Sequence, residues 1–209
     1  NVFSSRFVEA GVQAGLARNE DFNGACQEGV GLYQVTQRGG ERFSAAKAYL
    51  SPNLVRPNLQ VMTDVTAERI VFEGGVAKAV QVLQGGERRS LSARREIIVS
   101  AGAFQSPALL MRSGVGPGAH LQAMGITRQC ELPGVGANLH DHPDVVLVVE
   151  AASSALFGMS AVGAWRIAQG LWHWRRQRRG FLTTNFAEAG GFYKTTPDLP
   201  QPNIQLHFV

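Results

Sequence analysis

Apolar and polar residues alternate along much of the stretch 58–100, which is the pattern of half-buried β-strands. Three runs in it are predicted as strands, at 67–72, 76–83 and 88–93, and a shorter one at 59–62. The glycine pairs Gly74-Gly75 and Gly85-Gly86 separate the three longer runs, and glycine takes the positive φ that tight hairpins need. The stretch is therefore predicted to form a small antiparallel meander.

Helical spacing of apolar residues occurs in three other segments. Residues 6–18 place Phe7, Val8, Val12 and Leu16 on one face, and residues 43–50 follow with Ser44 as a predicted N-cap. Residues 165–179 carry apolar side chains at spacings of three and four and end in four arginines. The last segment is predicted to be a packed helix with a solvated basic end. Binding of an acidic partner or a membrane surface is the alternative.

Further strands are predicted at 31–36, 187–193 and 203–209. In the last of these, Gln205 and His207 fall on one face, whereas Ile204, Leu206 and Phe208 fall on the other. The polar face makes His207 a candidate pocket residue. A strand histidine that faces solvent or bonds within the sheet is the structural alternative.

The stretch 95–116 is predicted to form a strand, a turn and a helix around which the rest of the chain is arranged. Residues 96–99 form a short apolar run typical of a buried strand, and the small residues 100–103 form a turn. A helix is predicted to begin at Ser106, with Pro107 in its first position, and to end before Gly114. Such a strand, turn and helix can bring backbone N–H groups to a phosphate, or can simply let the two elements pack closely.

Composition excludes several classes of protein. The 209 residues are 44% hydrophobic and 17% charged, with a net charge of +4, so the chain is no polycation that coats nucleic acid. Cys26 and Cys130 lie far apart, which argues against a disulfide framework and a zinc site. No apolar run is long enough to span a bilayer. We therefore expect a soluble, cytoplasmic protein that does not associate with membranes. The sequence begins at Asn1 and ends at Val209, and we expect both to be internal positions of a longer protein.

The residues of the central stretch resemble a family signature. Gly102-Ala103-x-x-Ser106-Pro107-x-Leu109-Leu110-x-x-Ser113-Gly114-Val115-Gly116 is similar to the second signature of the glucose-methanol-choline oxidoreductases. Further similar blocks occur in order at 31–50, 56–74, 132–142 and 182–192. The resemblance is strongest to the choline dehydrogenase and alcohol dehydrogenase branch. It implies an α+β chain, with part of an FAD-binding α/β domain at 1–143 and the start of an antiparallel-sheet substrate domain at 144–209.

The resemblance also implies a chemistry, which is oxidation of an alcohol CH–OH group by hydride transfer to FAD. Choline and other primary or secondary alcohols all fit, and the electron acceptor is left open. The GxGxxG turn that holds the FAD pyrophosphate and the C-terminal histidine pair of the family have no counterpart in this sequence. We therefore expect a central fragment that is inactive alone, with no catalytic residue of its own.

Site residues follow from the same resemblance. The positions implied to lie near FAD are Ala67 through its backbone, Ser100, Ala101, Gly102, Asn138, Asp141 and His142. His207 is the first candidate for the substrate pocket and Glu188 the second.

Three alternatives stay open at this stage. The histidines and aspartate of 139–143 could form a metal site, although no third ligand has ordinary spacing, or a plain surface turn. The chain could also be a binding module that keeps the scaffold without catalysis. Open sheet edges in a truncated chain further predict self-association.

Overall fold

The computed structural model describes residues 2–149 and 161–209. Its helices are α1 (Val2–Gln13), α2 (Gly102–Arg112), α3 (Gly118–Ala123) and α4 (Ala161–Gln177). Its strands are β1 (Gly29–Leu32), β2 (Gln37–Arg38), β3 (Glu41–Arg42), β4 (Val65–Glu73), β5 (Val76–Gln84), β6 (Glu87–Ser92), β7 (Val115–Gly116), β8 (Cys130–Glu131), β9 (Ala189–Tyr193) and β10 (Ile204–Phe208). The α+β class expected from the sequence is confirmed.

The chain divides into two compact units. The first unit combines Asn1–Arg56 with Val149–Val209, and the second unit is Pro57–Val148. The first unit is discontinuous because β1, near the start of the chain, pairs with β9, near its end. The sequence predicted a boundary between an FAD-binding part and a substrate-binding part at residues 143 and 144. That boundary is defined by the ligand that each part binds, not by compact packing, and it stays a prediction.

The first unit is built on a three-stranded antiparallel sheet in the order β1-β9-β10. Helix α1 covers one face of it, where Val8, Val30 and Ala189 are fully buried. The Phe7 ring stacks on the Phe208 ring at 4.8 Å between centroids. Of the predicted apolar face, Phe7 and Val8 pack in this core, Leu16 does so from beyond the end of the helix, and Val12 is 43% exposed. Burial of such side chains is the main source of the helix's stability.

Boundaries in the first unit differ from those predicted. The first helix was expected at 6–18 but spans Val2–Gln13, and the chain reverses at Gly15, which has φ +98°. The segment expected as a helix at 43–50 contains a π-helical turn, Ala46–Leu50, followed by a 3-10 turn, Ser51–Asn53. Ser44 does cap this segment, because its Oγ accepts the Lys47 N–H at 3.3 Å.

The packing predicted for the fourth helix is wrong. Trp165, Leu171 and Trp172, expected to pack, are 64%, 46% and 51% exposed. The side of α4 that turns inward instead carries Gly170, which is buried, and Trp174, whose indole N–H donates to the Gly40 carbonyl at 2.9 Å.

The second unit contains the predicted meander. Strands β4, β5 and β6 pair antiparallel in that order, and both predicted glycine turns have positive φ, with Gly74 at 57° and Gly85 at 59°. Helix α2 packs on β4 through Ser113, which follows the helix. The Ser113 Oγ accepts the Ile70 N–H at 2.7 Å and donates to the Leu109 carbonyl at 2.6 Å.

Two predicted strands do not form. Residues 59–62 and 96–99 belong to no helix or strand, and Ile98 is 77% exposed. A strand requires a hydrogen-bonded neighbour, and within the described part of the chain no segment pairs with either run. An apolar pattern in the sequence does not show whether a neighbouring strand is present to pair with it.

The start of α2 also differs from the prediction. The helix begins at Gly102, four residues before Ser106, so Ser106 and Pro107 lie inside it. Ser106 still caps, but from within, because its Oγ accepts the Ala101 N–H at 2.9 Å. The helix ends at Arg112, and Gly114 with φ +87° stops it as predicted.

Candidate functional site

The turn before α2 carries three of the predicted cofactor residues, and it lies in the second unit. Ser100, Ala101 and Gly102 are exposed there. Gly102 has φ +82°, and a Cβ built on it would meet no atom within 4 Å. The first N–H groups of a helix have no acceptor within the helix, so they are free to donate to a ligand. The turn therefore combines open space with donors of partial positive charge.

The opposite end of α2 lies beside Ala67. This residue is in β4 at a register shift between Ala67 and Arg69, and such bulges are frequent beside binding sites. The Arg112 guanidinium donates to the Glu68 carbonyl at 3.0 Å and to the Ala67 carbonyl at 3.4 Å. The Ala67 carbonyl therefore has a partner in the Arg112 side chain, in a residue that also pairs with Val82 of β5.

Gly102 is the first residue of α2, and Arg112, whose side chain reaches the Ala67 carbonyl, is the last. The helix has 11 residues, which corresponds to about 16 Å at 1.5 Å per residue.

The loop after β8 carries the other predicted cofactor residues. It lies along α2 at Gly136, where a Cβ would come within 3.3 Å of the Met111 methyl group. Asn138 has φ +56°, and Asp141 Oδ1 accepts the His142 N–H at 2.8 Å. The side chains of Asn138, Asp141 and His142 are exposed. In residues 2–149 and 161–209, no group of three or more His, Cys, Asp and Glu side chains is placed to hold a metal ion.

His207 lies on the first unit, on the sheet face opposite α1. It is paired with Gly190 of β9 and is exposed. Tyr33 lies across Gly190, which has no side chain to prevent this approach. The Tyr33 hydroxyl donates to the Leu206 carbonyl at 2.5 Å, and its ring centroid lies 5.5 Å from that of His207.

Aromatic rings line the rest of this sheet face. The Phe22 ring lies 5.4 Å from Tyr33 and 5.1 Å from Phe192 between centroids. Burial raises the pKa of the Tyr33 hydroxyl above its ordinary value, although hydrogen bonds with Gln205 and Gly191 act in the opposite direction. Tyr33 is therefore a neutral donor at physiological pH. We name Phe22, Tyr33, Phe192 and His207 the aromatic face.

Glu188 lies just before β9, two residues from Gly190. Its carboxylate accepts the Ser4 hydroxyl at 3.3 Å, and its backbone carbonyl accepts the Tyr33 N–H at 2.9 Å. Glu188 is half-buried. The structure therefore places Glu188 beside the backbone of Tyr33, at one end of the strand that carries Gly190.

His207 and Glu188 were predicted from the sequence as pocket residues, which stays a prediction, whereas Tyr33, Phe22 and Phe192, which lie beside His207 or line the same sheet face, were not selected. Tyr33 lies in a segment similar to the family, and its place beside His207 follows from the pairing of strands far apart in sequence. Phe22 lies in a loop between α1 and β1, where no spacing rule predicts which face it contacts.

Comparison with known proteins identifies the family. The GMC oxidoreductase family profile matches residues 1–144. The chain therefore belongs to the GMC oxidoreductase family.

Curated relatives are similar along the whole chain. The chain is 43% identical to an alcohol dehydrogenase [acceptor] of Pseudomonas putida over 211 residues, covering 100% of this chain and 38% of the relative. It is 44% identical to an oxygen-dependent choline dehydrogenase of Rhizobium johnstonii over 209 residues, with the same coverage of 100% and 38%. The chain thus spans well under half the length of these relatives.

Solved structures show the same fold. An FAD-dependent oxidoreductase from Chaetomium thermophilum superposes with a TM-score of 0.76 at 25% identity, over 91% of this chain and 34% of that one. A formate oxidase from Aspergillus oryzae gives a TM-score of 0.77 at 26% identity, over 91% of this chain and 33% of that one.

Proposed function

We propose that the full-length protein oxidises the CH–OH group of an alcohol with FAD, and that this chain supplies part of the flavin site and one wall of the substrate pocket. The observation that carries the proposal is the Gly102 turn at the start of α2, with positive φ and open space where a side chain would stand. Membership of the GMC oxidoreductase family supports it.

The residues present fit such a cofactor. The helix N-terminus suits an anionic pyrophosphate or the polar edge of a flavin, and the Ala67 backbone suits an adenine edge. The residues that would hold the cofactor are Ala67, Ser100, Ala101, Gly102, Asn138, Asp141 and His142.

When bound, FAD supplies the hydride acceptor. The chain's own residues supply the surroundings. The His207 imidazole can hydrogen bond to a substrate hydroxyl, and the rings of the aromatic face exclude water from the pocket. No residue of this chain is assigned as the base, since the histidine pair implied by the resemblance has no counterpart in it.

Choline and simple alcohols are the substrates we propose to test first. A quaternary ammonium group is attracted by aromatic faces, and the first unit offers the Tyr33 ring beside His207. Two curated relatives carry the names of an alcohol dehydrogenase and a choline dehydrogenase, which supports the same choice.

The cytoplasm is the compartment we propose. Cys26 and Cys130 are both free and exposed. Free exposed thiols persist in a reducing compartment, whereas oxidising compartments favour their pairing.

The test is the visible absorption spectrum of the full-length protein, followed by anaerobic addition of choline and a panel of alcohols. We expect a flavin spectrum that bleaches with at least one alcohol. Residues 1–209 alone should be colourless and inactive. A full-length protein that stays colourless when FAD is supplied would contradict the proposal and support a binding module without catalysis.

A variant pair tests the role of the Gly102 turn. Gly102→Ala places a Cβ in the open space and should lower the FAD content of the purified protein about tenfold, the loss expected for about 1.4 kcal/mol of binding. Gly125→Ala is the matched control, because Gly125 also has positive φ, 67°, and open space around its Cβ. Equal FAD content in the two variants would show that backbone strain, not ligand contact, explains any loss.

A further inference from the structure

Helix α4 exposes an aromatic and basic face. At about 100° per residue, Trp165, Ala168, Leu171 and Trp172 fall on one side of the helix, and Arg175 and Arg176 continue that side at its end. All six residues are exposed. We name them the α4 face. The opposite side carries the buried Gly170 and the Trp174 that bonds to Gly40.

The charge around this face has one sign. No Asp or Glu occurs in the sequence from residue 151 to residue 187, whereas arginine occurs at 166, 175, 176, 178 and 179. Arg178 pairs with Glu41 at 2.7 Å, and this contact joins the residue that follows the helix to β3. The Arg176 guanidinium lies 4.7 Å above the Trp172 ring, so the basic and aromatic parts form one surface.

We propose that the α4 face docks on a membrane surface that contains anionic phospholipid. Tryptophan rings rest at the level of the lipid headgroups, and arginine side chains there reach the phosphates, so the two residue types suit one interface. Residues 151–187 contribute no acidic side chain that would repel a negative surface, and the nearby Glu41 is paired with Arg178. The helix would lie in the plane of the interface.

Two other occupants fit the face less well. A protein core that covered it would have to desolvate the guanidinium groups of Arg175 and Arg176, which is costly without paired acids. Insertion across the bilayer is excluded for this helix by its length and charge, and within the described residues no helix is long and apolar enough to span a membrane. In an interfacial position, the arginine side chains remain in contact with water and lipid phosphates, whereas the tryptophan rings are removed from water.

The experiment measures binding of the full-length protein to vesicles of phosphatidylcholine with and without phosphatidylglycerol, by flotation at an ionic strength of about 0.15 M. We expect binding to the anionic vesicles and little to the neutral ones. The double variant Arg175→Glu/Arg176→Glu should bind the anionic vesicles at least about tenfold more weakly, since each basic residue near such a surface contributes about 1 kcal/mol. Trp165→Ser/Trp172→Ser should also weaken binding to the anionic vesicles, because the rings no longer enter the interface.

Arg94→Glu/Arg95→Glu is the matched control. It changes the net charge by the same amount at two exposed arginines outside α4, and it should bind like the wild type. Circular dichroism of each variant shows whether it folds. As a second measurement that needs no variant, lipids brominated near the headgroup should quench tryptophan fluorescence of the wild-type protein more than lipids brominated deep in the chain.

Four outcomes would overturn the proposal. They are no binding of the wild-type protein to anionic vesicles, equal weakening by the control, unchanged binding of the α4 variants, and conversion of an oligomer to a monomer by the tryptophan substitutions. The last result would show that a second copy of the protein covers the α4 face.

Discussion

Ser113 joins two elements of the second unit through one hydroxyl group. It is 7% exposed, and its Oγ accepts the N–H of Ile70 in β4 while it donates to the carbonyl of Leu109 in α2. Ser113→Ala leaves the Ile70 N–H buried without this partner. We expect a loss of about 1–3 kcal/mol of unfolding free energy, measured by urea denaturation. Ser90→Ala on the exposed strand β6 should change stability by less than about 0.5 kcal/mol.

Tyr33 gives the protein a pH dependence at high pH. Burial raises the pKa of its hydroxyl above the unfolded value of about 10. The folded state therefore keeps its proton when the unfolded state has lost one, so stability is complete below pH 10 and falls as pH rises through the folded pKa.

Tyr33→Phe removes this titration together with the hydrogen bond to the Leu206 carbonyl. We expect a loss of about 1 kcal/mol at neutral pH and a shallower fall in thermal stability above pH 10. Tyr49→Phe, at a ring that is 77% exposed, is the control and should follow the wild type at every pH. A Tyr33→Phe protein with the wild-type alkaline profile would contradict the argument.

Gly114 and Ser106 show which local features of α2 can be predicted from the sequence and which cannot. Gly114 was correctly predicted to stop α2, because the stop depends on local backbone conformation. Ser106 was expected to begin α2, and it instead bonds back to Ala101 from inside the helix. The predicted cap and the observed hydrogen bond use the same hydroxyl, but the helix begins at Gly102, four residues earlier than predicted.

Strand β9 depends on glycine at the element scale. Gly190 is flanked by β1 and β10, and a Cβ on it would collide with the Leu206 carbonyl and the Tyr33 hydroxyl. Gly190→Ala must therefore displace Tyr33 or separate β9 from β10. We expect a loss of about 1–3 kcal/mol and a weaker response to alcohols in the full-length protein, measured by thermal unfolding and by anaerobic flavin reduction.

Gly134→Ala is the control for that substitution. A Cβ on Gly134 would meet no atom within 4 Å, and its φ is not in the left-handed region. It should be neutral or slightly stabilising, because alanine restricts the unfolded chain more than glycine does. If Gly190→Ala were equally neutral, the close approach of Tyr33 would not be important for the sheet.

Elements defined by local patterns were predicted better than those that need distant partners. The meander β4-β5-β6 was predicted from alternation and glycine turns, and each of its pairings is between neighbours in sequence. The runs 59–62 and 96–99 have equally apolar sequences but no pairing partner in the described chain. The aromatic face was missed for the same reason, because β1 and β9 are more than 150 residues apart.

At the scale of the whole molecule, one run of consecutive apolar side chains lies exposed at the surface. Residues 145–149 read Val-Val-Leu-Val-Val, and their exposure lies between 81% and 87%. The chain also spans only 38% of the curated relatives. Exposed runs of β-branched residues pair readily with other chains, so we expect residues 1–209 alone to self-associate.

Val146→Lys/Val148→Lys tests that expectation by placing two charges in the run. Sedimentation velocity over a range of protein concentrations should show smaller species than for the unmodified chain, because like charges oppose strand pairing. Leu54→Lys/Val55→Lys adds the same charge at two exposed apolar positions elsewhere, 54% and 89% exposed, and separates the effect of sequence position from that of net charge. If both variants dissociate equally, net charge governs association. If neither does, the contact lies outside residues 145–149, and the open edges of β6 and β10 become the surfaces to substitute next.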